Sequence, residues 1–316
     1  MSRTFVIWLC LGAVLFGWGL SWELLPYQTG APGLPEATVP VFYRFLLAGG
    51  LFTTFILIRD AIRRRISFAF SLSTWGLIAL IGLTFFSLNY SLFYMGQRGL
   101  PPGLVALFFA FVVVTNLGVT TLFSGRWPRR STTLAALAGF SGLTAVLWPS
   151  IWADGGFDLD LFTLGQATLC LLGTLTVSFG TMVQVVLNRR QVPVVTSTAF
   201  AMLFGTVYVG LYSWLRGYSF DISAVPGSFY GALAVLVLFS SIGAFSAYLK
   251  LVGLIGANRG AYVNLGTAVV ALIISYVTGT GDSFTLAQFA GIGLILAGCF
   301  FILQDKTPLE GSGHPK

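Results

Sequence analysis

Phe5-Val-Ile-Trp-Leu-Cys-Leu-Gly-Ala-Val-Leu-Phe-Gly-Trp-Gly-Leu-Ser-Trp-Glu-Leu-Leu25 contains one charged residue, Glu23, and is otherwise almost wholly apolar. A helix needs about 20 such residues to cross the hydrocarbon core of a bilayer. A helix of a water-soluble fold would alternate this apolar character with a polar face, and this stretch has no such face. The rest of the chain repeats the pattern. Apolar runs recur at 40–58, 73–95, 101–124, 132–149, 161–186, 194–215, 229–252, 258–279 and 285–303, which with the first makes ten expected spans. They are separated by turn or charge signals such as Arg63-Arg64-Arg65, Pro101-Pro102, Trp127-Pro128-Arg129-Arg130, Asp154-Gly155-Gly156 and Pro226-Gly227.

Composition agrees. Of 316 residues, 56% are hydrophobic and 9% charged, against about 25% charged in a soluble protein. Too few polar groups remain to cover a soluble surface, which excludes soluble enzymes, nucleic-acid binders, disordered regulators and secreted disulfide scaffolds. Long continuous runs also argue against a transmembrane barrel, whose strands alternate over about ten residues. Arg3 before an apolar run could open a signal peptide, but the run continues through Trp18 and Trp22 with no small-residue cleavage site. A retained first helix is expected. Cys10, Cys170 and Cys299 lie singly in apolar runs, with no disulfide or zinc spacing.

The net charge of +7 sits in loops. With the N-terminus inside and spans alternating, the inner face collects Arg3, Arg59, Arg63, Arg64, Arg65, Arg126, Arg129, Arg130, Arg189, Arg190, Arg259, Lys306 and Lys316; the outer loops hold Arg98 and Arg216. That asymmetry predicts both termini in the cytoplasm of a multi-pass protein of a bacterial-type inner membrane. Lipid is then a partner and nucleic acid is not.

Cut near residue 155, the chain echoes itself. Gly96-Gln-Arg-Gly99 precedes the fourth span and Ala257-Asn-Arg-Gly260 the ninth; Leu134-Ala-Ala-Leu-Ala-Gly-Phe-Ser-Gly-Leu in the fifth parallels Ala287-Gln-Phe-Ala-Gly-Ile-Gly-Leu-Ile-Leu-Ala-Gly298 in the tenth. Five spans per half force the second copy to enter from the opposite side. The predicted fold is an all-α membrane protein of ten transmembrane helices in two inverted five-helix repeats, 1–155 and 156–305, with a disordered tail at 306–316. Inverted repeats enclose a shared cavity and suit alternating access.

At these residues the chain resembles the drug/metabolite transporter superfamily in its ten-helix EamA-type branch. The carrying segments are Trp18-Gly19, Pro40-Val-Phe-Tyr-Arg44-Phe-Leu-Leu-Ala48, Gly103-Leu-Val-Ala-Leu-Phe108, Asn258-Arg-Gly-Ala-Tyr262, Val269-Val-Ala-Leu-Ile-Ile-Ser275 and Phe289-Ala-Gly-Ile-Gly-Leu-Ile-Leu-Ala-Gly298. It departs from that branch where a Gly-Glu pair commonly follows the fourth and ninth helices: here stand Ser124-Gly125-Arg126 and Thr278-Gly279-Thr280. The mid-helix proline is absent near Val113 and Ala268. The resemblance implies secondary transport of small organic metabolites, with amino acid or related metabolite export favoured.

Intramembrane charge is costly and marks function. Glu23 is the only acid in an expected span and Arg44 the clearest base. Both lie within one to two turns of the outer ends of adjacent helices, at matching depth, where they could pair. Glu23 is read either as an interfacial or structural carboxylate or as a proton- or cation-binding group in the cavity; in the second case the cargo would be a cationic amine or drug. Arg44 matches the family's second-helix arginine, in an orienting or a substrate-contacting role. Trp18, Trp22, Asn89, Tyr90, Tyr94, Phe108, Gln184, Tyr248, Tyr262 and Asn264 are the expected lining, because an organic solute needs aromatic walls and a few hydrogen-bonding groups. Each has a packing alternative, an interhelical hydrogen bond in the case of the amides.

An intramembrane enzyme would need paired carboxylates or a nucleophile with its base, yet the only His is His314 in the tail. No metal or cofactor set is expected, and no phosphate-binding loop. A passive facilitator stays open as an alternative. Ten spans can enclose a pathway in one copy, so a monomer suffices and a homodimer is not excluded.

Overall fold

Ser2 accepts a hydrogen bond from the Phe5 amide and so caps the first helix. From there a computed structural model describes residues 2–125 except 30–32, 65 and 101; 130–145 except 131–132, 135–136 and 143; 161–255 and 260; 263–278; and 285–297 except 288 and 295–296. Among the described residues every regular element is helical. These are α1 (Arg3–Leu24) with a 3₁₀ turn at Leu25–Tyr27, α2 (Thr38–Arg63), α3 (Leu72–Ile81), a first π-helical stretch (Gly82–Asn89), and α4 (Tyr90–Gly96). There follow α5 (Pro102–Ala110), α6 (Val112–Ser124), α7 (Leu161–Arg189), α8 (Val194–Leu215), α9 (Gly227–Val235), a second π stretch (Leu236–Ala244), α10 (Phe245–Ile255) and α11 (Val263–Thr278).

Among the described residues six helices are long and apolar enough to cross a membrane: Arg3–Tyr27, Thr38–Arg63, Leu72–Gly96, Leu164–Arg189, Val194–Leu215 and Gly227–Val252. They match the first, second, third, sixth, seventh and eighth expected spans. Two shorter apolar helices, Phe108–Phe123 and Val263–Thr278, fall in the fourth and ninth. The fifth and tenth are described over about half of their length, and the described residues are helical at 133–134, 137–142 and 144–145 and at 286–287, 289–294 and 297. The chain is an integral, multi-pass, all-helical membrane protein.

The fourth run, expected as one continuous helix over 101–124, is instead divided by a turn at Phe111. No proline causes it. The Phe111 amide bonds the Phe108 carbonyl in the tighter i−3 manner, and the Thr115 hydroxyl lies within hydrogen-bond reach of the Phe111 and Val112 carbonyls and of Ser178 on α7. A side chain inserted into the backbone ladder bends a helix.

Contacts at the helix ends fix direction. Arg3 donates to the Leu254 carbonyl (2.9 Å), and Arg190 to Ser73 (2.7 Å), so the starts of α1 and α3 meet the ends of α10 and α7. At the opposite end Gln28 donates to the Phe229 carbonyl, Thr38 hydrogen-bonds Ser213 at 2.7 Å, Tyr43 donates to the Phe220 carbonyl, and Arg98 pairs with Glu36 at 2.8 Å. Helices from the first half pack mainly on helices from the second: α2 on α8, α1 on α11 and on the second π stretch, the first π stretch on α8 and α7. Small residues permit this closeness, as lipid offers no hydrophobic drive between helices. A Cβ on Gly82 would stand 2.7 Å from the Ala201 carbonyl oxygen, and one on Gly205 2.6 Å from the Phe86 Cβ.

Candidate functional site

Between the two sets of helices lies a cavity of about 460 Å³. On α1 and the 3₁₀ turn that continues it, its lining is Trp18, Ser21, Trp22 and Leu25, an i, i+3, i+4, i+7 stripe along one face. The first π stretch and α4 supply Phe85, Phe86, Asn89, Tyr90, Phe93 and Tyr94; α5 and α6 supply Phe109, Val112 and Asn116. Opposite stand Thr181, Gln184 and Asn188 of α7, Thr198 of α8, Ser240 of the second π stretch, Phe245 and Tyr248 of α10 and Asn264 of α11. The lining runs from Leu25, Arg44 and Tyr94 toward one end to Asn188, Val194 and Val252 at the end that carries Arg3 and Arg190.

Aromatic rings form much of the wall and brace one another. Trp22 tilts against Phe93 (5.7 Å between ring centres) and Phe109 (5.3 Å), while Trp18 meets Phe245 (5.1 Å) and Tyr248 (5.0 Å). Such offset and edge-on pairs are preferred by the ring quadrupoles.

Arg44, 1% exposed, is the largest fully buried side chain among the described residues. Its Nε donates to Ser241 Oγ (2.9 Å), one terminal nitrogen to Tyr94 Oη (3.2 Å) and the other to Ser240 Oγ (2.8 Å). The guanidinium carbon lies 4.9 Å from the centre of the Tyr90 ring and 5.7 Å from that of Phe45. Ser240 is held in turn from α1: Ser21 Oγ is 2.6 Å from Ser240 Oγ, and Trp18 Nε1 donates to the Ser240 carbonyl (3.3 Å). The second π stretch therefore presents two successive hydroxyls to one guanidinium.

The expected pairing of Glu23 with Arg44 is not made; three neutral oxygens take the hydrogen bonds of the guanidinium. Glu23 is buried, at 9% exposure, but it is one residue past Trp22, about 100° round the helix from the lining stripe, and it is not among the lining residues. Phe108 is likewise one position off. It is half-buried against the core, and its neighbour Phe109 faces the cavity. Tyr262 lies outside the described residues, as does Arg259. The other nine expected residues, Trp18, Trp22, Arg44, Asn89, Tyr90, Tyr94, Gln184, Tyr248 and Asn264, all border the cavity.

The amides differ in what they have left to offer. Asn89 donates to the Gly173 carbonyl of α7 (2.9 Å), an interhelical bond, and Gln184 donates to Asn188 (2.9 Å). Trp22 Nε1, Asn116 Oδ1 and Asn264 Oδ1 are buried at the cavity with no hydrogen-bond partner on the protein. An unsatisfied buried polar group costs about 1–3 kcal/mol, and three of the lining residues hold polar atoms that the protein leaves unsatisfied. Sequence reading missed Ser21, Phe109, Ser240 and Ser241. A signal for the serines existed, since paired hydroxyls within an apolar span are possible partners for a buried base.

Comparison with known proteins agrees with this geometry. No curated protein matches the chain. One solved crystal structure superposes on 95% of this chain and 97% of its own at 17% identity, with a TM-score of 0.68, which shows a shared fold. The model of the EamA-like transporter family matches residues 165–304. Residues 165–304, a little under half of the chain, are thus similar to the EamA-like transporter family.

Proposed function

We propose that the protein is a secondary transporter that moves small organic metabolites by alternating access, with export of amino acids or related metabolites as its activity. The carrying observation is an aromatic cavity of about 460 Å³ bordered by helices of both halves, a size in the range of small-molecule sites.

The packing supports two inverted repeats over 1–155 and 156–305. The main contacts across the halves join the first span to the eighth and ninth, the second to the seventh and eighth, the third to the sixth and seventh, and the fourth to the sixth and ninth. Exchanging each span with the one five places away maps this set onto itself. Direction inverts as well: the first and third spans start where the sixth and eighth end. The π stretches fall in the third and eighth spans, which are exchanged partners, and π segments gather at functional sites. The richly basic end is assigned to the cytoplasm, with the pathway contained in one copy.

Counterflow tests the reading. Proteoliposomes preloaded with unlabelled amino acid should accumulate labelled amino acid transiently and saturably. Linear uptake without stimulation from the far side would leave a passive facilitator.

A further inference from the structure

Among the described residues that line the cavity, Arg44 alone carries a formal charge, and its hydrogen-bond partners are all neutral. A guanidinium has five N–H donors. Three are used, which leaves one on each terminal nitrogen. Buried charges are ordinarily paired, and an ionisable group inside a membrane marks a pathway. Here the hydroxyls of Ser240, Ser241 and Tyr94 and the face of Tyr90 orient the cation without neutralising it. Among the described lining residues no carboxylate offsets the positive charge.

We infer that Arg44 anchors an anionic group of the cargo, so that this cavity takes amphipathic organic anions, carboxylates above all, and rejects cationic amines. The two remaining donors suit a carboxylate, the partner a guanidinium binds most strongly. Trp22 Nε1 offers a further donor at the same cavity. The aromatic wall of Trp22, Phe93 and Phe109 receives the apolar body. A cationic amine would meet Arg44 with no lining carboxylate to offset the repulsion; Glu23 lies off the lining face. This inference rests on the transport reading but is tested apart from it, by equilibrium binding.

The test uses three probes with one ring system: indole-3-propionate, its methyl ester and tryptamine, titrated calorimetrically into the full-length protein in detergent at neutral pH. The acid should bind at least tenfold more tightly than the ester or the amine. In Arg44→Gln the acid should fall to the affinity of the ester, while the ester binds as before and so reports an intact fold. Arg44→Lys should keep part of the preference for the acid. The inference is overturned if the ester or amine matches the acid in the wild type, if Arg44→Gln keeps the preference, or if none of the three binds. Should Arg44→Gln not fold, the wild-type ranking still decides. Counterflow of amino acids judges the transport reading whichever way the ranking falls.

Discussion

The third and eighth spans share a backbone device and differ in chemistry. Each passes from α-helix through a π stretch, Gly82–Asn89 in one and Leu236–Ala244 in the other, and back to α-helix. The first turns Phe85, Phe86 and Asn89 to the cavity, and Asn89 is already spent on the Gly173 carbonyl. The second turns Ser240 to the cavity and, with Ser241, grips Arg44. The same backbone device thus makes an apolar wall in one span and a polar corner in the other. Under the proposed inverted repeat these positions would be equivalent, and the difference between them would set the choice of cargo.

The largest effect should come from stripping the polar corner. Ser240→Ala with Ser241→Ala removes two hydrogen bonds to a buried cation, each worth about 1.5–3 kcal/mol, so unfolding in detergent should show a loss of about 3 kcal/mol or more. Next is the packing of the opposite π stretch. Gly82→Ala drives a Cβ to 2.6 Å from the Phe204 Cβ and 2.7 Å from the Ala201 carbonyl oxygen, and overpacking of this kind costs about 1–3 kcal/mol. A smaller loss, about 1 kcal/mol, is expected for Asn89→Ala, in line with interhelical bonds in membranes. Smallest is Gly231→Ala at the head of the eighth span, where an added Cβ meets nothing within 4 Å; its melting temperature should stay near that of the wild type. A Gly231 variant as damaging as Gly82→Ala would remove the contrast between the two spans.

Much of the fold could be read from run length, because the bilayer sets the length of a spanning helix. Six spans appeared where the apolar runs placed them. Facing was harder to read. Lipid and protein interior are both apolar, so the periodicity that marks a buried face in water is weak here. Phe108 and Phe109 look alike in sequence, and only packing turns Phe109 inward. Matching depth suggested a Glu23–Arg44 pair, yet depth carries no rotational information, and the lining stripe of Trp18, Ser21, Trp22 and Leu25 leaves Glu23 to one side. The turn at Phe111 had no proline to announce it; the Thr115 hydroxyl reaches the Phe111 carbonyl and also meets Ser178 of α7. The aromatic and amide lining was legible by residue type, and nine of the twelve expected residues border one cavity.

Alternating access is tested most directly at Asn116, whose amide oxygen is buried at the cavity without a protein partner. Asn116→Cys, in a background whose native cysteines are replaced, can be labelled by a membrane-impermeant maleimide added to either face of oriented vesicles. Labelling from both faces, slowed by saturating transported solute, is the predicted result. Labelling from one face only, unaffected by solute, would contradict a cavity that opens to each side in turn.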